Sequence, residues 1–229
     1  MSARIGIACT AYNRTPHLEM WTKLVAQNSP EDAVFHIAND GKDRKGITYR
    51  KTECIRELYN EGVDVLFIFD DDTFPIEKGW TSFFIDALQA SGQNHFCYLK
   101  ETPGNTKVKS TNVGGVVINE YQNCNGCLMV MTRKAVETVG GFNPNYSIYG
   151  FEHADYTNRI HAAGLNPMGR YLCPEGASKY IYSCDLDNTR PEIQKKLKHR
   201  SSMSAKEALH HVAKSEVIYR QATQIYFPL

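Results

Sequence analysis

Apolar and polar stretches alternate along the first half of the chain. Short apolar runs of strand length are separated by segments whose apolar residues recur every three or four positions, which is typical of helices. This alternation predicts an α/β protein with a mostly parallel central sheet and helices on both faces. The predicted strands are Arg4 to Cys9, Ala33 to Ala38 and Val63 to Phe69, and the predicted helices are Pro16 to about Gln27, Ile47 to Asn60 and Trp80 to Ala90.

The second half of the chain is less regular. The polar segment from Lys100 to Asn112 is predicted to form a loop or a short hairpin. Two strands, two helices and a helical tail are predicted after it. They lie at Val113 to Asn119, Gly126 to Met131, Lys134 to Val139, from Glu152 onward and within Pro191 to Tyr219.

Charge is distributed unevenly. The 229 residues carry a net charge of +1, but from Thr189 onward eight Lys or Arg residues stand against three Glu, which is +5. Such a segment can approach phosphate groups, or it can be an ordinary solvated helix face. We expect residues 1–188 to form one domain and residues 189–229 to be a basic helical extension packed on it.

Cysteine content and hydropathy bear on the compartment. Seven cysteines are an odd number, and the sequence has neither a secretory signal nor the apolar run of about 20 residues that crosses a bilayer. We therefore expect reduced thiols and a cytoplasmic protein. Cys124 and Cys127 form one C-x-x-C pair, but Cys173 and Cys184 do not complete a standard zinc spacing, so packing within strands is favoured.

Three consecutive carboxylates end the third predicted strand. Asp70, Asp71 and Asp72 follow Phe69, and in open α/β sheets ligands bind just beyond the carboxyl ends of strands. Alternation along extended backbone predicts that Asp70 and Asp72 point to one side and Asp71 to the other. Adjacent carboxylates favour Mg²⁺ or Mn²⁺, which keeps coordination sites for substrate phosphates. The alternative is a solvated acidic turn that caps the helix starting near Glu77.

A second polar cluster begins the helix at Glu152. Glu152 and Asp155 share a face, and Asp155 can pair with Arg159 four residues later. Acidic residues in a first turn stabilise a helix through its dipole. Two acids with an imidazole, His153, between them are also suited to acid–base catalysis.

Several short motifs occur in a characteristic order. They are Thr10-Ala11-Tyr12-Asn13-Arg14, Asn39-Asp40, the Asp-x-Asp of Asp70 to Asp72, Gly140-Gly141-Phe142-Asn143, and Tyr149-Gly150-Phe151-Glu152 followed by Asp155 and Arg159. In this order they resemble glycosyltransferases of the GT-A fold, namely family 2 enzymes and their β1,4-galactosyltransferase-like relatives. The resemblance runs from about Arg4 to Gly164.

The resemblance implies metal-dependent transfer of a sugar from a nucleoside-diphosphate sugar, with UDP as the first candidate, to an acceptor hydroxyl. Asp72 would bind Mn²⁺ or Mg²⁺ directly, with Asp70 facing the ribose or the metal. Asp185, Asp187 and His199 are candidates for a further metal ligand, and Asp185 is the first choice. The implied nucleotide-sugar residues are Thr10, Tyr12, Arg14, Asp40, Asp70, Asp71 and Gly126, and the implied acceptor residues are Tyr149, Gly150 and Phe151.

The expected catalytic base departs from the family pattern. Relatives commonly carry Glu-Asp where this chain has Glu152-His153. A neutral imidazole, with a reference pKa of about 6.5, can take the acceptor proton in an inverting transfer. His153 is therefore the first candidate, with Glu152 and Asp155 as competitors. A structural or acceptor-binding His153 stays open, as does a retaining mechanism, which needs no such base.

The acceptor is left open as well. The basic tail favours a polyanion such as DNA that carries a hydroxylated base, which an enzyme would have to flip out of a duplex. A glycan and a small molecule are the rival acceptors. Two rival functions are a nucleotidyltransferase, which usually has a Gly-rich phosphate loop where Tyr12-Asn13-Arg14 stands, and a binding module with a dead site.

Overall fold

The computed structural model describes residues 3–41, 43–146, 150–187, 190–197 and 205–229. The strands in these ranges are β1 (Ile5–Ala11), β2 (Val34–Asn39), β3 (Val65–Asp70), β4 (Thr73–Pro75), β5 (His95–Cys97), β6 (Lys107–Val113), β7 (Val116–Tyr121), β8 (Leu128–Thr132), β9 (Leu172–Pro174) and β10 (Ile181–Ser183). The helices are α1 (Thr15–Asn28), α2 (Ile47–Asn60), α3 (Trp80–Ser91), α4 (Arg133–Val139), α5 (Glu152–Ala162), α6 (Pro191–Lys196) and α7 (Ala205–Gln221).

A five-stranded central sheet, in the order β2-β1-β3-β8-β5, organises the fold. Strands β2, β1 and β3 are parallel, as predicted. Strand β8 runs antiparallel to both β3 and β5, so the sheet is mixed, with four of its five strands in one direction. Strand β3 lies at its centre, and Val65 to Phe69 are all buried, as expected for a strand covered on both faces.

Helices cover both faces of this sheet, which confirms the prediction. On one face, Phe69 packs edge-to-face against Trp21 of α1 and Trp80 of α3, with ring centroids 6.0 and 5.4 Å apart. On the other face, Leu58 of α2 lies so close to Gly6 of β1 that a Cβ at Gly6 would contact it. Glycine at this position therefore lets α2 approach the sheet closely.

Two smaller sheets complete the architecture. Strands β6, β7 and β9 form an antiparallel sheet, so the polar segment before Val113 includes one strand of a hairpin. Strand β4, which directly follows the Asp cluster, pairs antiparallel with β10. This pairing continues as a hydrogen bond of 2.9 Å from the Cys184 amide to the Asp72 carbonyl. Residues near 184 are thereby held beside the Asp cluster.

The C-terminal segment packs against α5 and the Gly140-Gly141 turn. Phe227 donates to the Val139 carbonyl at 3.1 Å and accepts from the Gly141 amide at 2.8 Å. Tyr219 of α7 accepts a hydrogen bond of 2.6 Å from Asn158 of α5. Two helices, α6 and α7, lie in the tail, which was predicted to be helical.

The C-x-x-C pair does not converge on a common point. Cys124 Sγ lies 3.6 Å from Cys97 Sγ, whereas Cys127 Sγ points toward the Tyr98 carbonyl at 3.8 Å. All seven cysteines are free thiols. Within the described residues, no group of three His, Cys, Asp or Glu side chains is arranged to hold a metal ion. The described residues therefore give the zinc interpretation no support.

Candidate active site at the end of strand β3

Asp70, the last residue of β3, lies between a lysine and a threonine. The Lys51 ammonium is 2.8 Å from Asp70 Oδ1, and the Thr10 hydroxyl donates to the same oxygen at 3.1 Å. Lys51 is fully buried in α2. Burial disfavours ionisation of Asp70, but the charges of Lys51 and His153 and the hydrogen bonds from Lys51 and Thr10 together outweigh it and lower the pKa of the carboxyl group. Asp70 is therefore a paired carboxylate.

Asp71 and Asp72 share a different cation, Arg14. Its Nε lies 3.2 Å from Asp71 Oδ2, its Nη1 lies 3.0 Å from Asp72 Oδ2, and its Nη2 forms a further short contact with Asp71 Oδ1. Burial raises the pKa of Asp71 to about 7, although the Arg14 charge opposes the rise. The three carboxyl groups at the end of β3 thus face two cations, Arg14 and Lys51.

The arrangement of the three carboxylates corrects the predicted alternation. Asp71 and Asp72 act together, and Asp70 turns to a separate partner. The cause is that extended backbone ends at Asp70 and the next two residues form a turn. The two-residue period of side-chain direction holds only along extended chain.

Lys51 connects the Asp cluster to the start of α5. Its ammonium group donates to the Gly126 carbonyl at 3.3 Å and makes a short contact with His153 Nε2. His153 Nδ1 lies 3.1 Å from Glu152 Oε1. An ammonium group can only donate and a carboxylate can only accept, so His153 accepts at Nε2 and donates from Nδ1. Both ring nitrogens are therefore engaged.

The environment of His153 favours its neutral form. Burial lowers the pKa of the imidazole, and the adjacent Lys51 charge lowers it further, against the opposing charges of Glu152 and Asp70. Gly126 packs against the ring so closely that a Cβ at that position would overlap it. Glycine at 126 is thus required for His153 to lie where it does.

Glu152 carries an oxygen without a partner. Its side chain is 3% exposed, and Oε2 makes no hydrogen bond to the part of the chain that the structure describes. Buried carboxylate oxygens are normally hydrogen-bonded, so such an atom needs an explanation. A bound hydroxyl group would provide the missing partner.

Asp155, the third candidate base, has a different environment. It pairs with Arg159 at 2.9 Å and accepts from the Tyr146 hydroxyl at 3.4 Å. Arg159 also donates to the carbonyls of Val139, Gly141 and Ile225 at 2.8, 2.8 and 3.0 Å. This pair connects α5 to the C-terminal segment and makes no described contact with the Asp cluster.

The expected nucleotide residues lie along the same sheet edge. Asp40 follows β2, and its amide donates to the Ala11 carbonyl at the end of β1 at 2.8 Å. The Asp40 carboxylate accepts from the Lys45 and Gly46 amides at 2.8 and 3.1 Å, which orders the loop before α2. Tyr12 lies under the Arg44 guanidinium group, with 5.1 Å to the ring centroid.

The expected acceptor and C-terminal metal residues are placed in part. Phe151 adopts a left-handed backbone conformation, with φ of 66°, and stacks on Tyr219 at 5.1 Å. Gly150 packs against α7 with φ of 98°. Asp185 is exposed and directly follows Cys184, whose amide is bonded to the Asp72 carbonyl. Tyr149 and His199 lie outside the described residues.

The other C-terminal candidate, Asp187, is buried and already has partners. It accepts from the Tyr98 hydroxyl at 3.0 Å and from the Ser183 amide at 2.9 Å, and it contacts the Lys100 ammonium group. These contacts hold Asp187 in the turn after β10, whereas Asp185 is exposed and adjoins Cys184, whose amide is bonded to the Asp72 carbonyl.

Lys51 is the central residue that the sequence analysis missed. It lies three, four and seven residues before Cys54, Ile55 and Leu58, the buried face of α2. A lysine in phase with an apolar helical stripe is unusual, because an unpaired buried charge is costly. That signal predicts a buried anionic partner, which here is Asp70.

Among the described residues, no helix combines the length and apolar character needed to span a bilayer.

The sequence and the fold are both similar to those of known proteins. Residues 110–185 match the family described as the N-terminal domain of galactosyltransferase. An uncharacterised glycosyltransferase of Acanthamoeba polyphaga mimivirus is 28% identical over 147 residues, which is 63% of this chain and 56% of the viral protein. The chain therefore spans little more than half the length of this curated relative.

One solved structure shows the same fold as this chain. A mannosyltransferase from Pyrobaculum calidifontis, in complex with GDP-Man and Mn²⁺, superposes with a TM-score of 0.52 at 13% identity, covering 72% of this chain and 54% of that one. The catalytic domain of Drosophila β1,4-galactosyltransferase 7 is more distant, with a TM-score of 0.41 at 14% identity over 87% of this chain and 82% of that one. The matches confirm the resemblance to glycosyltransferases of the GT-A fold.

Proposed function

We propose that this chain is a metal-dependent glycosyltransferase that moves a sugar from a nucleoside-diphosphate sugar to an acceptor hydroxyl with inversion. One observation carries the proposal. The buried Lys51 joins the carboxylates at the end of β3 to the Glu152-His153 pair, so a charged donor site and a candidate base meet at the edge where α/β sheets bind ligands. The family match and the fold agree with this assignment.

The donor is expected along the ends of β1, β2 and β3. We expect Tyr12 and Asp40, which follow β1 and β2, to contact the base and the ribose, and Thr10 and Arg14 lie beside the Asp cluster. A nucleoside-diphosphate sugar fits because arginine pairs with phosphate oxygens. UDP is the first candidate for the nucleotide, and GDP, bound by the archaeal mannosyltransferase as GDP-Man, is the second.

The residues present fit a divalent metal ion. Their carboxylate oxygens are the hard ligands that Mg²⁺ and Mn²⁺ prefer, and a guanidinium cation already lies between Asp71 and Asp72. Asp72 and Asp70 would hold the ion, with exposed Asp185 as a further ligand. A bound ion would neutralise the charge that develops on the departing diphosphate.

We propose Glu152 rather than His153 as the base, and the contacts of the two side chains support this choice. His153 uses both ring nitrogens for Lys51 and Glu152, whereas Glu152 Oε2 has no described partner. In the proposed transfer the acceptor oxygen attacks the anomeric carbon, its proton passes to Glu152 Oε2, and the bond to the diphosphate breaks. His153 holds Glu152 through Oε1 and is a positioning residue. The Asp155–Arg159 pair, whose charged groups are bonded to each other and to neighbouring protein groups, is assigned a structural role.

The acceptor is proposed to bind near Gly150 and Phe151, which α7 of the basic tail contacts. The charge of +5 from Thr189 onward favours an acceptor hydroxyl on a polyanion, such as DNA with a hydroxylated base, over a neutral glycan. A cytoplasmic location and the domain division at residue 188 remain our predictions.

Release of free nucleotide from a panel of nucleotide sugars tests the proposal. We expect one donor to be hydrolysed slowly with Mn²⁺ or Mg²⁺ and not with a chelator. Asp72→Asn should lower this rate by on the order of 10²-fold to 10³-fold, since a catalytic metal supplies several kcal/mol. Glu137→Gln, an exposed change on α4, is the matched control and should leave the rate unchanged.

Glu152→Gln separates the base from the donor site. It should bind the donor like the wild type and lose turnover, whereas His153→Asn should retain more activity. Metal-dependent binding of a donor without any turnover in the wild type would support the dead binding module instead. If no nucleotide sugar binds to the folded protein with either metal, the transferase assignment is wrong.

A further inference from the structure

Arg14 occupies the carboxylate oxygens that a divalent cation needs. Its guanidinium group contacts both oxygens of Asp71 and one oxygen of Asp72. The two carboxyl side chains are 1% and 7% exposed, whereas Arg14 is 21% exposed. A metal ion that reaches Asp72 therefore meets a cation already in place.

The backbone of Arg14 is fixed, so only its side chain can leave. The Arg14 carbonyl accepts from the amides of His17 and Leu18 at 2.9 and 3.1 Å, at the start of α1. Departure of the guanidinium group alone would uncover two buried carboxylates without compensation, which is strongly unfavourable. The guanidinium group leaves at low cost only if another cation arrives and another anion accepts it.

The chain also offers few ligands to a free metal ion. Within the described ranges, no three His, Cys, Asp or Glu side chains converge as a metal site. Mg²⁺ typically binds through one or two carboxylates and completes its shell with water and substrate phosphates. A metal–diphosphate chelate brings those oxygens with it, and its phosphates are suitable partners for a displaced arginine.

We infer that Arg14 is the internal counterion of the metal site, and that the protein takes up the metal and the nucleoside diphosphate together rather than the metal first. The inference rests on the proposed function. On binding, Arg14 passes from Asp71 and Asp72 to the diphosphate, and the metal ion takes its place at Asp72. Metal and diphosphate affinities are then coupled reciprocally, because each raises the affinity for the other by the same factor.

Binding measurements on the folded protein test this without an activity assay. The probes are Mn²⁺ alone, followed by the electron paramagnetic resonance signal of the free ion, and UDP and GDP with and without Mn²⁺, followed by equilibrium dialysis. The proteins are wild type, Arg14→Gln, Arg14→Lys and, as a control, Arg4→Gln, which affects an exposed arginine paired with Glu61. Circular dichroism checks that each variant is folded.

The inference predicts opposite changes for the two ligands. Arg14→Gln should bind Mn²⁺ alone roughly 10-fold tighter than wild type, and should bind the nucleoside diphosphate in the presence of Mn²⁺ roughly 10-fold weaker. Arg14→Lys keeps the positive charge without the bidentate geometry of the guanidinium group. Both of its affinities should lie between those of the wild type and those of Arg14→Gln. Arg4→Gln should match the wild type in both measurements.

The outcomes separate this inference from the proposed function. If wild type binds Mn²⁺ alone as tightly as both Arg14 variants, yet still binds a nucleoside diphosphate with Mn²⁺, the inference is wrong and the proposed function stands. If no folded protein binds Mn²⁺ or either nucleotide, both are wrong.

Discussion

Helix α5 carries similar polar residues on two sides, and the two sides are built differently. At its start, Glu152 has a carboxylate oxygen with no described partner, and His153 joins it to Lys51. On its other side, Asp155 and Arg159 form a buried pair whose remaining groups contact a tyrosine hydroxyl and three backbone carbonyls. We call these the open side and the closed side.

The difference shows what separates a reactive group from a structural one. The closed side has more hydrogen bonds and less exposure, so a change there should act mainly on folding. The open side leaves one acceptor atom unused, so a change there should act mainly on ligands and chemistry. Three substitutions can break or sharpen this comparison, and each has a different expected effect on the free energy of unfolding.

Arg159→Met should have the largest effect, a loss of about 3 to 5 kcal/mol in the free energy of unfolding. It leaves Asp155 buried without its cation and leaves the Gly141 and Ile225 carbonyls without their described donor. Urea denaturation measures the loss. The matched control is Arg220→Met, which breaks a pair of the same four-residue spacing with Glu216 on the exposed face of α7. If Arg159→Met loses no more free energy of unfolding than the control does, the Asp155–Arg159 pair does not have the structural role that we assign to it.

Acid should have the second-largest effect, a loss of at most about 3 kcal/mol, through the buried His95, which contacts α5 at Thr157 rather than on the closed side. His95 donates to the Val130 carbonyl at 2.7 Å and accepts from the Thr157 hydroxyl of α5 at 3.0 Å. Burial lowers its pKa from 6.5 to about 4. Between about pH 6.5 and 4 the imidazole is therefore protonated in the unfolded chain and neutral in the folded protein. The free energy of unfolding should fall as the pH decreases from about 6.5 to 4.

Unfolding measured across this pH range, for wild type and His95→Gln, isolates that contribution. The variant should be less stable at pH 7.5 and should lose less stability on acidification. Parallel pH curves for the two proteins would show that His95 is not the buried neutral group.

Gly126→Ala should have the smallest effect on stability, about 1 to 2 kcal/mol, because overpacking moves the His153 ring. It should nevertheless abolish most donor turnover, since the ring holds Glu152. Gly104→Ala is the control, because a Cβ there meets no atom within 4 Å. Nucleotide release and denaturation are measured together. If Gly126→Ala kept full turnover, His153 would have no role in positioning Glu152.

Local patterns were enough to predict much of this fold. Strand and helix periodicity predicted β1, α1, β2, α2, β3 and α3 within about two residues at most ends, because each element has a regular apolar face. The reversed direction of β8 was not predictable in that way, since Leu128–Thr132 is apolar throughout and reads alike in either direction. Pairing partners are set by the whole sheet rather than by one strand.

The site was predictable in position and less so in detail. The motif order placed Asp70, Asp72, Glu152 and His153 in one region, and Lys51 joins them there. The pairing of Asp71 with Asp72 depends on a turn after β3, and the engagement of both His153 nitrogens depends on a lysine 102 residues away in the sequence. Contacts between such distant residues leave no local pattern.

The hydrogen bond from Arg159 to the Ile225 carbonyl joins residues 66 positions apart, and Phe227 completes the same contact region at Gly140. During translation, α5 is therefore made well before the groups that cover its guanidinium side chain. A ribosome-bound chain that ends before residue 225 would hold α5 only loosely and would expose a buried charge to solvent and chaperones. Helix α5 therefore acquires its final packing only once residues 225–228 have emerged.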